Sequence, residues 1–207
     1  VTGASNIAIG YLAMGDVDAG NNSNDSDHNT FIGLLAGGGA WHDTKSEFNV
    51  GIGNYVMDAV LTGAVRNTAV GYNALSANTT ARDQVGSGAL TAATNALNNV
   101  SIGINSMASV PAGQALNGCV AIGHDALIGA GISGTGASYS IAIGTSALGA
   151  LTSGGENMAV GYQSGKSLTT ASANTVVGYQ AYRYFGQTDS DNNVAVGYQA
   201  MLGASGT

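Results

Sequence analysis

Small and apolar residues alternate along this chain in short bursts, and each burst stops at a glycine. The recurring phrase is N-x-A-V/I-G-x-x-A-L/M: NIAIGYLAM, NTFIGLLAG, NVGIGNYVM, NTAVGYNAL, RDQVGSGAL, NVSIGINSM, CVAIGHDAL, SIAIGTSAL, NMAVGYQSG, NTVVGYQAY and NVAVGYQAM. These eleven copies fill the 207 residues, with central glycines at Gly10, Gly33, Gly53, Gly71, Gly86, Gly103, Gly123, Gly144, Gly161, Gly178 and Gly197. A period of two predicts a short strand in every copy. The residue just before the glycine is Ile or Val throughout, from Ile9 to Val196, and is the expected core row. The residue three before the glycine shares that face, and the mostly Ala position between them faces the other way. The glycine permits a sharp bend, and Ala, Ser or Val three residues later opens a second short strand over a narrow core. Asn stands four before the glycine in eight of the eleven copies, where it can hydrogen-bond a turn or stack in a ladder. A helix is disfavoured, because a glycine inside each apolar stretch costs about 1 kcal/mol against Ala.

A unit of about 15 residues with variable insertions is too short for a helix pair or a propeller blade and fits one coil of a β-solenoid. The expected fold is therefore all-β, a parallel β-roll of about eleven short coils forming one repeat array over residues 1–207. At about 4.8 Å per coil the rod would be roughly 50 Å long. Insertions near 15–28, 37–48, 108–118, 128–139 and 183–192 are expected at its corners. Such a core is thin. The Ala row (Ala8, Ala69, Ala121, Ala142, Ala159, Ala195) is expected to form a flat outer face that packs against copies of the same chain, around a rotation axis parallel to the rod.

Composition narrows the function classes. Five basic residues against twelve acidic ones, a net charge of −7, argue against nucleic-acid binding and against an anionic membrane surface. Apolar residues make up 44% of the chain, too many for disorder. No charge occurs between Asp125 and Glu156, yet Gly, Ser and Thr break that stretch throughout, so no membrane insertion is expected. The single Cys119 stands where the repeat has Asn, which precludes an internal disulfide framework and reads as a small buried side chain. A start at Val1 without a signal-peptide pattern reads as an excerpt or a processed product.

Phrases such as NTAVGYNAL, NMAVGYQSG and NVAVGYQAM resemble the head repeats of YadA-type trimeric autotransporter adhesins. They are still more similar to the NTAVGYQAL-type arrays of bacteriophage tail fibres, above all from Asn67 to Gly103. The adhesin resemblance implies a left-handed parallel β-roll, three chains side by side, no enzymatic activity, and binding on exposed surfaces. This sequence has longer, irregular insertions and lacks the coiled-coil stalk and membrane anchor of a whole autotransporter, which favours the fibre.

Several residues invite a chemical reading. The first insertion carries Asp16, Asp18, Asp25 and Asp27 among Asn residues, an oxygen density suited to Ca²⁺, against which stands a plain solvated loop. No other cofactor is implied. Trp41 and His42 in the second insertion, and Tyr182, Arg183, Tyr184 and Phe185 near the last, are candidate receptor contacts, or else they anchor their loops on the rod. Thr2 to Ser5 with Tyr162 and Lys166 resembles the short-chain dehydrogenase set, and Gly129 to Gly134 fits G-x-G-x-x-G. Both need a strand-to-helix context that the repeat does not supply. Tyr11, Tyr72, Tyr162, Tyr179 and Tyr198 follow repeat glycines and are expected to stack in register.

The expected function is a non-enzymatic homotrimeric fibre segment, extracellular or virion-borne, that displays loops to a glycan or protein receptor on a cell surface. Alternatives are the head of a bacterial trimeric adhesin, a self-stacking extracellular filament subunit, and a polysaccharide-degrading solenoid enzyme. The last would need paired carboxylates in a groove, for which Asp189 and Asp191 or the first insertion are the only sources.

Overall fold

The computed structural model describes residues 4–15, 26–41, 44–77, 79–80, 85–87, 96–110, 116–129, 136–184 and 191–203. Within them the fold is a β-solenoid without helices. Eleven strands of three residues each, β1 (Ile7–Ile9), β2 (Thr30–Ile32), β3 (Val50–Ile52), β4 (Thr68–Val70), β5 (Val85–Ser87), β6 (Val100–Ile102), β7 (Val120–Ile122), β8 (Ile141–Ile143), β9 (Met158–Val160), β10 (Thr175–Val177) and β11 (Val194–Val196), stack in sequence order. Every neighbouring pair is parallel and in register: Ala121 lies beside Ala142, and Ala142 beside Ala159.

Each strand ends at a glycine because of the coil above it. The Gly144 φ is +127°, and a Cβ there would lie 2.4 Å from the Gly161 carbonyl oxygen. Any side chain would therefore meet the next glycine's backbone, so the bend recurs as a column of glycines.

Three further corners per coil use left-handed backbone at ordinary residues. Tyr139, Ser146 and Leu148, for example, have φ of 61°, 56° and 49°. Such a residue costs about 1–2 kcal/mol, and a bond between coils offsets it each time. Tyr139 N–H donates to Asn117 O at 2.8 Å, Ser146 N–H to His124 O at 2.9 Å, and Leu148 N–H to Ser164 O at 3.0 Å.

The Asn residues form ladders inside the roll. Asn29 Nδ2 donates to Asn6 Oδ1, Asn49 to Asn29 and Asn67 to Asn49, at 3.1, 3.0 and 2.9 Å. A second run links Asn157, Asn174 and Asn193. Each Oδ1 also accepts the backbone N–H of the next Asn, so these buried amides are well supplied with partners. Cys119 interrupts the ladder; its N–H donates to Asn99 Oδ1 at 2.8 Å.

The interior reverses the expected facing of the strand. The mid-strand row is the buried one: Ala69, Ala121, Ala142 and Ala159 have no exposed surface. The Ile and Val rows on either side point outward, with Ile52 42% and Val70 43% exposed in the middle of the stack. The reason is width. Met57, Leu75, Met107, Leu127 and Leu148, four residues past the glycines, fill the roll from the opposite wall, so the strand most often contributes a methyl group. The Ala row is thus no outer packing face.

Five mid-strand positions are not Ala (Phe31, Gly51, Gly86, Ser101 and Val176), and two of these are informative. In β5, Gly86 pairs with Ala69 and Ser101, both mid-strand residues, so it occupies the Ala row rather than the bend, and the bend assigned to it is corrected. In β2, Phe31 replaces the inward Ala and is accommodated by missing Cβ atoms. A Cβ on Gly51 would lie 2.5 Å from the Phe31 ring, and one on Gly37 2.9 Å from it.

Candidate functional site

The outward face of the sheet extends along the stacked strands. Its two columns carry Ile7, Thr30, Val50, Thr68, Val100, Val120, Ile141, Met158, Thr175 and Val194 on one side of the Ala row, and Ile9, Ile32, Ile52, Val70, Ile102, Ile122, Ile143, Val160, Val177 and Val196 on the other. Apart from Thr, every one of these side chains is apolar, and none carries charge. Such a face, about 7 Å between columns and about 50 Å tall, is a large apolar patch for a soluble surface. β-branched side chains suit it, because they hold one rotamer on a pleated surface.

Beside this face, exposed tyrosines stack where the sequence places them in consecutive coils. The Tyr162 and Tyr179 rings are 5.1 Å apart and Tyr179 and Tyr198 5.5 Å, with interplanar angles of 19° and 9°. A parallel run joins Gln163, Gln180 and Gln199, each amide donating to the one before at 3.2 and 3.1 Å. Tyr72 instead meets the Tyr55 ring of the neighbouring coil edge-on, at 5.8 Å and 77°.

A third surface, which the sequence reading overlooked, is the corner just before the Asn position of each repeat, held by Cys119 and Ser140 in two of the described coils. Its residues are Ser5, His28, Phe48, Arg66, Asn98, Gly118, Tyr139, Glu156, Ala173 and Asn192, all with φ near +60° among those bearing a side chain. Neighbouring rows repeat one residue type; this one changes at every coil. His28 and Phe48 stack at 4.9 Å. Farther along, Tyr139 and Glu156 border a groove of about 470 Å³ that Asn117, Ser138 and Ser172 also line. The signal was available in the sequence: the position before the repeat's Asn is the variable neighbour of one that is Asn in eight of eleven copies.

The proposed receptor contacts separate into buried and exposed. Trp41 is fully buried; its Nε1–H donates to Gly37 O at 3.0 Å and its edge meets Phe31 at 5.8 Å. It anchors its insertion on the rod, so its role as a receptor contact is withdrawn. Tyr182 is also fully buried, beneath the corner beside Ala181, and is withdrawn likewise. Arg183 lies over the Tyr184 ring at 4.5 Å, and both remain partly accessible. His42 and Phe185 lie outside the described residues, as do Asp16, Asp18, Asp25 and Asp189. Asp27 Oδ1 accepts the Ala4 N–H, and Asp191 Oδ1 accepts the Ser172 N–H at 2.6 Å. Among the described residues, no three His, Cys, Asp or Glu side chains cluster as a metal site.

Burial controls the two perturbed acids. Desolvation pushes the Cys119 thiol up to about 11, and its Sγ lies 3.4 Å from Ala137 O and 3.5 Å from Asn117 O. Such a thiol is neutral at pH 7 and a poor nucleophile. Asp58 is shifted upward by the same cause, against a weaker backbone hydrogen bond.

No protein-family model matches this chain, and neither a curated protein nor a solved structure shows detectable similarity to it. No helix among the described residues is long and apolar enough to cross a membrane.

Proposed function

We propose that the chain is a segment of a homotrimeric extracellular or virion fibre, a mechanical rod for surface attachment that displays its corners and insertions to a cell-surface receptor. The observation that carries this reading is the outward face, mostly Ile and Val and uncharged in the ten strands whose side chains are described. Burying a face of that kind is the main driving force for association. Straight parallel columns favour partners that run alongside, which rotational symmetry about an axis parallel to the rod supplies. The number three comes from the likeness of the repeats to trimeric adhesin heads and tail-fibre arrays. Ladder pairing between all neighbouring coils suits a fibre that bears load and resists proteolysis, because no strand in the middle of the stack offers an unpaired edge. The adhesin head remains the second reading, supported by the same face and repeats.

Sedimentation velocity on the 207-residue chain tests the proposal: a species of three chains is expected, and a monodisperse monomer at micromolar concentration overturns it.

A further inference from the structure

The groove beside Tyr139 lies on the corner row that the fibre displays, so its assignment rests on that reading, and its chemistry is specific. Tyr139 belongs to the corner row that varies from coil to coil, and it is 65% exposed. Its ring lies on Gly118, where a Cβ would come within 2.7 Å of a ring carbon. Its N–H is fixed to Asn117 O at 2.8 Å. The ring is thereby held along its Cδ1–Cε1 edge, and most of it stays exposed on a fixed corner. One coil on, Glu156 holds the same backbone conformation, with φ of 60° and its N–H donating to Ser138 O at 3.0 Å.

We propose that this groove is a saccharide-binding site that takes one or two pyranose units. The volume of about 470 Å³ falls within the range of small-ligand sites. An exposed aromatic face matches the apolar C–H face of a pyranose. Glu156 and Ser172 are the kinds of partner that sugar hydroxyls need in a half-wet groove, beside Asn117, whose Oδ1 accepts the Leu97 N–H, and Ser138, whose hydroxyl accepts the Asn117 N–H. Anionic ligands are disfavoured, because the charged group at the groove is a carboxylate and the whole chain carries −7. A purely apolar ligand would strand the polar lining without partners.

Saturation-transfer NMR on the full chain tests the site, with methyl glucoside, methyl galactoside, N-acetylglucosamine, cellobiose and chitobiose as probes and tetramethylammonium as the competing class. Transfer to the ring protons of at least one sugar is expected. Tyr139→Ala should lower that affinity at least about tenfold, as loss of an aromatic anchor does. Glu156→Gln should lower it about three- to tenfold through loss of a charge-assisted bond, while Tyr139→Phe keeps it. If circular dichroism shows that Tyr139→Ala does not fold, the conservative Glu156→Gln and Tyr139→Phe pair decides by the same split. No transfer from any sugar, transfer unchanged in the Tyr139→Ala and Glu156→Gln variants, or binding of tetramethylammonium in place of the sugars overturns the proposal. Sedimentation of the same samples reads the oligomer separately, so the failure of the groove and the failure of the trimer are distinguishable.

Discussion

The two faces of the sheet are built from adjacent residues and do opposite work. Inward, Ala142 gives the roll a single methyl per coil; outward, Ile141 and Ile143 present branched side chains beyond the roll. In a globular domain the larger side chains would be the core. Here the interior is so narrow that Leu148 and Ala147, from the wall opposite, already fill it, and the bulk is displaced to the outside. The difference teaches that a chain of small coils has two apolar surfaces with separate purposes. One closes the coil, and the other is available to a neighbour.

The comparison breaks first if the inner face tolerates charge. Ala142→Asp should unfold the coils around it, at a cost above about 4 kcal/mol for an unpaired buried carboxylate, seen as lost cooperativity in urea. Ile143→Asp, one residue away, should leave the circular dichroism spectrum intact and dissociate the proposed trimer in sedimentation. Equal damage from both would erase the distinction between the faces.

A second test acts on the inner face at β2. Gly51→Ala should destabilise by about 1–3 kcal/mol because the new methyl collides with Phe31. Adding Phe31→Leu should recover part of that loss, which a double-mutant cycle in urea would measure. Of comparable or smaller size, Asn157→Ala should cost about 1–3 kcal/mol, since the Asn174 N–H and Nδ2 both lose Asn157 Oδ1.

The smallest effect concerns Cys119. Its folded pKa, about 11, lies above the unprotected value of 9.0, so the folded state holds its proton longer than the unfolded chain does. The associated stability is complete below pH 9 and is lost as pH rises through about 11. Cys119→Ala should flatten that part of the stability profile. A thiol reagent at pH 8 should react at least about a hundredfold more slowly with the folded chain than with the unfolded one.

Strand positions were legible in the sequence because glycine bends and Asn ladders both impose a fixed residue type at a fixed phase. Facing was not. Alternation distinguishes one side of a strand from the other but does not say which side is inside, and both sides here are apolar. The register of β5 was missed because VGSG offers glycines at Gly86 and Gly88, and only pairing with Ala69 and Ser101 decides between them. Trp41 looked like a loop residue by its position between repeats, yet the space for its ring is created by Phe31 and Gly37 of the coil it leaves. Tyr139 and Glu156 escaped notice for another reason: each stands just before its repeat phrase, Tyr139 as the last residue of the insertion near 128–139, and a position that changes from coil to coil carries no periodic signal.

The register between strands has a consequence for how such a chain can change. Bend glycines 17 residues apart at Gly144 and Gly161, and 20 apart at Gly33 and Gly53, are followed by the same one-coil step. Contour length and axial height are therefore uncoupled. Residues added at a corner enlarge that corner and leave the pitch alone, so the rod acts as a ruler whose graduations stay fixed while the labels written beside them are free to be rewritten.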